Sequence, residues 1–333
     1  MNKKVHIIAE AGTNHNGNID TAKTLVRVAH EAGADSVKFQ IIYPENLYLP
    51  GKYDYGHYDI EKVVAMRKAF MLADEDYTSL SNLANELGIK FSASVFCERS
   101  TDLLAGLYPP YIKIASTDLN NLQLIRYAAS KNIPLIISTG MSTLAQIEKT
   151  VSTLENLNVK KFILLHCVSA YPAALKDMNL TFIETLRTAF HCEVGLSDHT
   201  QSSIAACMAV SMGVAYIEKH FTLDPSQEGF DHAYAANPET FKAYVSDIRD
   251  AEQAMTYTPV KIKSDEAYVK KRARRSLYAS KDLKKGHILT ASDILIVRPE
   301  GPLNSEDFDL IVGKELKENI NQYQPFTLKA VNL

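Results

Sequence analysis

Residues 193–220 read EVGLSDHTQSSIAACMAVSMGVAYIEKH, and the fold is decided in this stretch. An apolar run over 193–197 leads into Ser197, Asp198 and His199, a helix-like segment spans 204–212, and a second apolar run over 215–220 ends in Glu218 and His220. A strand, a helix and a second strand with polar side chains at both strand ends form a parallel β/α unit. The same signature recurs through the preceding chain. Apolar runs end in Glu10 (KVHIIAE), Lys38 and Gln40 (SVKFQ), Ser94 (KFSAS), Lys113 and Ser116 (YIKIAS), Ser138 (LIIST) and His166 (FILLH). The eight strands fall near 4–9, 36–40, 90–94, 111–115, 135–138, 162–166, 193–197 and 215–220, and they predict an α/β fold, the (β/α)8 TIM barrel. Polar groups at the carboxyl ends of barrel strands converge on one mouth, where such folds place chemistry. The strands are rich in Val, Ile and Phe and alternate little, as parallel strands buried on both faces do. Helical patterns lie between them at 20–32, 75–87, 122–131, 143–157, 204–212 and 238–255, and Gly33, Gly88 and Gly213 stand where left-handed caps are cheap.

The chain of 333 residues exceeds a typical barrel of about 250. We therefore expect a TIM-barrel domain over 1–256, a polar and basic linker over 257–275 and a small β-rich domain over 276–333. A net charge of −3, with 23% charged and 46% hydrophobic residues, gives no bulk drive toward nucleic acid or anionic membranes. The run KKRARR at 270–275 reads as solvated linker, with one or two arginines free to reach an anionic ligand. No apolar run reaches the roughly 18 residues of a membrane span, and MNKKVHIIAE reads as a first strand, so a cytoplasmic protein is expected. Cys97, Cys167, Cys192 and Cys207 have no CxxC spacing and read as reduced thiols. Cys167 follows His166 on a strand, so the two point to opposite faces, and a buried apolar thiol is favoured over a nucleophilic pair. The long stretch 41–74, with Tyr43, Tyr48, Tyr53, Tyr55 and Tyr58, reads as a lid or a dimer contact.

His199 and His220 end consecutive strands, which brings two imidazoles close enough to share a first-row divalent ion completed by water and substrate. A pair of hydrogen-bonded histidines without metal is the alternative. Lys38, Lys113, Ser116, Ser138 and Ser197 supply two ammonium groups and three hydroxyls, a cradle for a small, doubly anionic substrate. The competing role for a lysine here is a Schiff base on a desolvated amine. Glu10, followed by the turn Asn14-His15-Asn16-Gly17, suits a general base or an anchor for that turn, and Asp118 and Glu218 suit similar roles.

In these residues and the segments around them, the chain resembles the sialic acid synthase family. The matching segments are IIAEAGTNHNG, GADSVKFQ, YIKIAST, STGMS, LLHCVSAYPA, GLSDHT, EKHFTLD and RRSLYASKDLKKGHILTASDILIVRP. The resemblance implies a barrel followed by an antifreeze-like (SAF) domain and condensation of phosphoenolpyruvate with N-acetylmannosamine or a related acetamido sugar. It also implies a homodimer whose small domain covers the partner's mouth. It makes His199 and His220 ligands of Mn²⁺, with Co²⁺ or Mg²⁺ as alternatives, and Lys38, Lys113, Ser116, Ser138 and Ser197 phosphoenolpyruvate contacts. Glu10, Gln40, Asp118, Tyr171 and Asp231 match positions near sugar or metal, and Arg298 matches an arginine reaching the sugar's acyl group from the partner. Three positions depart from the neuraminate-forming pattern: Ser169 in place of Asn, RPEGP in place of RPGNG or RPGTG, and Ala235 in place of serine. All three fall where the acceptor binds, which leaves a 2,4-diacetamido-trideoxyhexose, leading to legionaminic or pseudaminic acid, as a second acceptor class.

Overall fold

The computed structural model describes residues 4–49, 51, 59–257, 259 and 262–333. Strands β1 (His6–Gly12), β2 (Ser36–Ile41), β3 (Lys90–Val95), β4 (Ile112–Ile114), β5 (Leu135–Ser138), β6 (Phe162–Cys167), β7 (Glu193–Asp198) and β8 (Tyr216–His220) pair in chain order. All pairings are parallel, and β8 returns to β1 to close the barrel. Around it run α1 (Ile19–Glu31), α2 (Ile60–Ala69), α3 (Asp74–Leu87), α4 (Glu98–Gly106), α5 (Leu122–Ala129), α6 (Leu144–Asn156), α7 (Phe182–Phe190), α8 (Ile204–Ser211) and α9 (Pro238–Ala254).

Sequence reading anticipates α1, α3, α5, α6, α8 and α9 but not α2, α4 or α7. The physical reasons differ. Helix α4 is capped by the Cys97 side chain, whereas capping rules search for Ser, Thr, Asp or Asn. Helix α7 has no side-chain cap at Thr181, and α2 buries none of its residues, so it carries no apolar stripe. The residues Tyr53, Tyr55 and Tyr58, part of the expected lid, lie outside the described residues.

The barrel is packed in two places. Outward strand faces meet the helices in one apolar cluster, to which α1 contributes Ala22, Leu25, Val26 and Ala29. Inside, Ile8, Tyr111, Ile136, Ile163 and Leu165 form a separate floor with Tyr216 against it. Because side chains alternate along a strand, the residue two places beyond each floor residue faces the same way. Ile8 is thus succeeded by Glu10, Ile136 by Ser138, Leu165 by Cys167 and Tyr216 by Glu218, an apolar floor beneath a polar layer. Buried hydroxyls close the floor's seams: Tyr111 and Ser36 share a hydrogen bond at 2.8 Å, and Ser92 donates to the Tyr111 carbonyl at 2.7 Å.

The chain divides into two compact units, Met1–Thr256 and Tyr257–Leu333. The second unit holds β9 (Ser276–Ala279) paired antiparallel with β10 (Ile294–Val297) over a core that includes Leu277, Leu289, Ile311 and Phe326. The stretch 257–275, expected as linker, contains helix α10 (Ser264–Ala273). Asp265 and Glu266 in its first turn and Lys270, Lys271 and Arg272 in its last complement the helix dipole, so the basic run stabilises a helix end.

Gly195 on β7 is the tightest point of the floor. A Cβ there would meet Leu165 Cδ2 and the Tyr216 carbonyl oxygen, each at 2.5 Å. Gly195→Ala is expected to destabilise the barrel by about 1–3 kcal/mol through overpacking. Gly106→Ala, with nothing within 4 Å of its added Cβ, should be neutral or stabilising. Denaturant midpoints of the two variants check this, and equal midpoints would contradict the packing account.

Candidate active site

The polar layer above the floor comes from six strands and is almost dry. Glu10, Lys38, Lys113, Ser138, Ser197 and Glu218 are all buried. Lys38 Nζ lies 2.5 Å from Glu10 Oε2 and 3.6 Å from Glu218 Oε2, and it donates to Ser94 Oγ at 2.8 Å. Lys113 Nζ donates to Ser138 Oγ at 2.7 Å and to the Ile114 carbonyl at 3.0 Å, and lies 3.9 Å from Glu218 Oε1. Ser197 donates to Glu218 Oε1 at 2.9 Å, and Gln40 donates to Glu10 Oε1 at 2.9 Å.

Two carboxylates and two ammonium groups in one dry layer titrate apart. Burial would raise Glu218, but Lys113 and Lys38 outweigh it and hold its carboxyl at about 2. Glu10 has one close lysine, and burial, with Glu218 nearby, pushes it up to about 7 against the pull of Lys38. Burial draws Lys113 down, whereas Glu10 and Glu218 overcome burial at Lys38 and raise it. The two carboxyls are thus driven apart, Glu218 toward the ionised form and Glu10 toward proton exchange near neutrality.

One step higher, His199 and His220 face each other with ring centroids 5.3 Å apart. The alternation that turns Ser197 and His199 inward on and after β7 turns Asp198 outward, and on β8 it puts Lys219 outside between Glu218 and His220. Outside the barrel Asp198 accepts from Thr200 N at 2.8 Å and from the Tyr244 hydroxyl at 2.8 Å, and Lys219 donates to the Thr200 carbonyl. This clasp holds the turn from which His199 projects. His199 Nδ1 bonds the Val168 carbonyl at 2.8 Å, which leaves Nε2 as the ring's lone-pair nitrogen. His220 is kept neutral, its pKa drawn down to about 3 chiefly by burial.

Nδ1 of His220 is buried without a hydrogen-bond partner, and so is Oδ2 of Asp231, 3.6 Å away. Among the described residues no group of three or more His, Cys, Asp or Glu is set to cage a metal ion. Two facing imidazoles, one with a buried and unpartnered nitrogen, nonetheless fit a borderline divalent ion whose other positions stay open to water and substrate.

These side chains line a cavity of about 780 Å³ at the strand carboxyl ends. A larger hollow of about 950 Å³ lies at the opposite ends of the strands, around Val5, Glu193 and Val214, and brings together none of the expected site residues. Of those, Glu10, Lys38, Gln40, Lys113, Ser116, Ser138, Tyr171, Ser197, His199, His220 and Asp231 line the mouth. The Tyr171 ring packs at a tilt, its centroid 4.3 Å from that of His199 and 4.8 Å from that of Tyr234, whose hydroxyl donates to Asp231 Oδ1 at 2.7 Å. Ser169 is not among the mouth residues and packs against Gly140, where a Cβ would meet its Oγ at 2.3 Å. Asp118 is not among the mouth residues: its carboxylate accepts from Thr117 and Asn121 and is used within its own turn. Arg298 belongs to the second unit, exposed directly after β10.

Sequence reasoning missed Cys167, Tyr234, Phe230 and Arg67 in the mouth. Cys167 was read as core, yet His166 turns outward to the Met178 carbonyl and Cys167 inward, with Sγ 3.9 Å from His199 Nδ1. Strand alternation counted from Leu165 would have found it. Gly12, at φ +55°, is needed because a Cβ would meet Asp231 Oδ2 at 2.6 Å.

Comparison with known proteins matches the NeuB family over residues 25–259 and a SAF domain over residues 274–332. The chain is 39% identical over 324 residues to the N,N'-diacetyllegionaminic acid synthase of Legionella pneumophila, spanning 95% of this chain and 91% of the relative. It is 35% identical over 356 residues to the N-acetylneuraminate-9-phosphate synthase of Drosophila melanogaster, spanning 96% and 94%. The crystal structure of N-acetylneuraminic acid synthetase from Leptospira borgpetersenii superposes with a TM-score of 0.71 at 30% identity, over 80% of this chain and 90% of that one. The chain belongs to the NeuB family of phosphoenolpyruvate-dependent nonulosonic acid synthases, and it is an enzyme of the sialic acid synthase type.

Proposed function

We propose that this enzyme joins phosphoenolpyruvate to the open-chain aldehyde of an acetamido sugar, either N-acetylmannosamine or a 2,4-diacetamido-trideoxyhexose. The observation that carries the reading is the layer of Lys38, Lys113, Glu10 and Glu218 beneath the His199 and His220 rim. Lys38 and Lys113, with Ser116, Ser138 and Ser197, hold the carboxylate and phosphate at the bottom of the mouth. Their ammonium groups are fixed before substrate arrives, so little reorganisation is needed on binding.

The methylene carbon of phosphoenolpyruvate forms the new bond to the aldehyde carbon, whose oxygen takes up a proton. Water then adds to the former enol carbon, and phosphate departs with its bridging oxygen as that carbon–oxygen bond breaks. His199 and His220 would hold a divalent ion, Mn²⁺ first, which when bound polarises the aldehyde. Glu10 accepts the proton of the added water, a role suited to a carboxyl held at about 7. Gln40, Tyr171 and Asp231 contact the sugar, and the mouth keeps both reactants in register. A Schiff-base aldolase is disfavoured because Lys38 and Lys113 are committed to carboxylates and hydroxyls. No helix among the described residues is long and apolar enough to cross a membrane. Four free thiols suit the reducing cytoplasm.

Chelation is expected to abolish phosphate release from phosphoenolpyruvate in the presence of an acetamido sugar, and Mn²⁺, Co²⁺ or Mg²⁺ to restore it. His199→Ala and His220→Ala should lose most turnover while keeping their thermal midpoint. Full activity in excess chelator would sink the metal assignment.

The proton role has its own signature. Since Glu10 must be ionised to accept a proton, kcat/KM should fall about tenfold per pH unit below about 7. The residual activity of Glu10→Gln should lack that limb, and an unchanged limb would move the role to another group.

We also propose a homodimer in which Arg298 of one subunit meets the acyl group of the sugar in the other. Its exposure in the second unit supports this reading. Mixing Arg298→Ala with His199→Ala after subunit exchange should recover activity, because one site of each heterodimer then holds an intact barrel and an intact arginine. Exchange without recovery would show that Arg298 acts within its own chain or not at all.

A further inference from the structure

The long excursion between β2 and α3 places one cation at the mouth that the reaction above does not use. Arg67 lies in the last turn of α2, and its guanidinium carbon sits 3.4 Å from the centroid of the Phe230 ring. Its Nη1 donates to Thr13 Oγ1 at 3.1 Å, while its buried Nε has no hydrogen-bond partner. Among the described residues no carboxylate forms an ion pair with it. A guanidinium normally makes several hydrogen bonds from its five donors, and a buried donor left unpaired is costly. Arg67 therefore lines the cavity with a donor set that the protein's own acceptors meet only in part.

The wall is built in advance. The Asn14–Gly17 turn joins the two segments that form it. A Cβ on Gly17 would meet the Ala69 carbonyl oxygen at 2.6 Å, so only glycine lets the end of α2 approach this closely. On its other side, Asn16 donates to the Glu228 carbonyl at 3.0 Å and its Oδ1 lies 3.2 Å from His232 Nε2, which secures the segment carrying Phe230 and Asp231. Phe70, at the end of α2, packs edge-on against Phe230 at 6.2 Å. The turn thus fixes Arg67, Phe230 and Asp231 together.

What the wall offers is one planar cation, an aromatic face, Leu47 and Tyr48 nearby in the lining, and the unpartnered Asp231 Oδ2. A phosphate monoester carries close to two negative charges and is usually met by several cations or backbone donors. Here it would find one arginine and a carboxylate that repels it. A secondary amide fits better, since its carbonyl accepts from Arg67, its N–H suits Asp231 and its methyl packs on the aromatic and aliphatic flank.

We propose that Arg67 and Phe230 form a specificity subsite for a second acylamido group on the acceptor, distinct from the group assigned to Arg298, so that this enzyme prefers a diacetamido sugar. The inference rests on the reading of the protein as a synthase acting on acetamido sugars.

The test compares wild type, Arg67→Met, Arg67→Lys and Phe230→Leu with phosphoenolpyruvate and Mn²⁺. The acceptors are N-acetylmannosamine, its 6-phosphate and 2,4-diacetamido-2,4,6-trideoxymannose. Wild type should favour the diacetamido sugar, and Arg67→Met should lower kcat/KM for that sugar about 10- to 150-fold, the value of a charge-assisted hydrogen bond, mainly through KM. Its effect on N-acetylmannosamine should stay within about threefold, and the KM for phosphoenolpyruvate should not move, which shows an intact mouth. Arg67→Lys should recover part of the loss, and Phe230→Leu should reproduce part of it. An equal loss on mono- and diacetamido sugars would make Arg67 merely structural and overturn the proposal. Preference for the 6-phosphate, lost in Arg67→Met, would overturn it in favour of an anion subsite. Turnover of N-acetylmannosamine without gain from the second amide overturns the subsite alone, whereas no phosphate release with any of the sugars removes the synthase reading and the subsite with it.

Discussion

Four opposite charges buried within a few ångströms of one another set the terms for the rest of the molecule. Glu10, Lys38, Lys113 and Glu218 are each at most 4% exposed, and no charged group is removed from water that thoroughly without partners. Each compensates another through contacts of 2.5 to 3.9 Å, and the serine hydroxyls of β3, β5 and β7 fill remaining donor and acceptor positions. Such a layer contributes little net stability, because desolvation offsets the attraction. Its consequence is a pair of ammonium groups held in place by their neighbours. The barrel's apolar floor and its helical jacket must supply the stability that this layer does not.

Alternation along the strands divides two kinds of work between the faces of the same residues' backbone. Inward, β7 and β8 lead to Ser197, His199, Glu218 and His220, which line the mouth. Outward, Asp198 and Lys219 pair with each other, at 3.4 Å, and with α9 through Tyr244. A charged residue flanked by mouth residues is thus structural, and the motif's density reflects both faces at once. The same logic separates His166 from Cys167 on β6.

The mouth is asymmetric. Its base is strand-borne, with Glu10, Lys38, Lys113, Ser138, Ser197 and Glu218 all on barrel strands. Its rim is assembled from loops: the excursion carrying Arg67, the turn at Asn14–Gly17, and the segment from Glu228 to Tyr234. Loops on a fixed barrel can change without disturbing the base. Acceptor choice is the property most open to such change, and the identities to relatives named for different sugar products are of a similar size, 39% and 35%.

Eight strands, their order and the polar groups at their ends were legible in the chain, because period-two packing and parallel closure leave few ways to arrange apolar runs ending in Glu10, Lys38, Lys113, Ser138, His199 and His220. The second domain followed from length and from the change of pattern after residue 256. Other features needed the tertiary structure. Arg67 sits on a helix that buries none of its residues, so no periodicity marks it, and its partners Thr13 and Phe230 are 54 and 163 positions away (67 − 13 and 230 − 67). Asp118 lies in a short 3-10 turn after β4 instead of at the strand's end, and Thr117 and Asn121 hold its carboxylate within that turn. The division of labour between Glu10 and Glu218 depends on their distances to two lysines from other strands, which no local pattern encodes. Local sequence determines which groups reach the mouth, whereas their charge, aim and company depend on contacts between segments that meet only when the barrel closes.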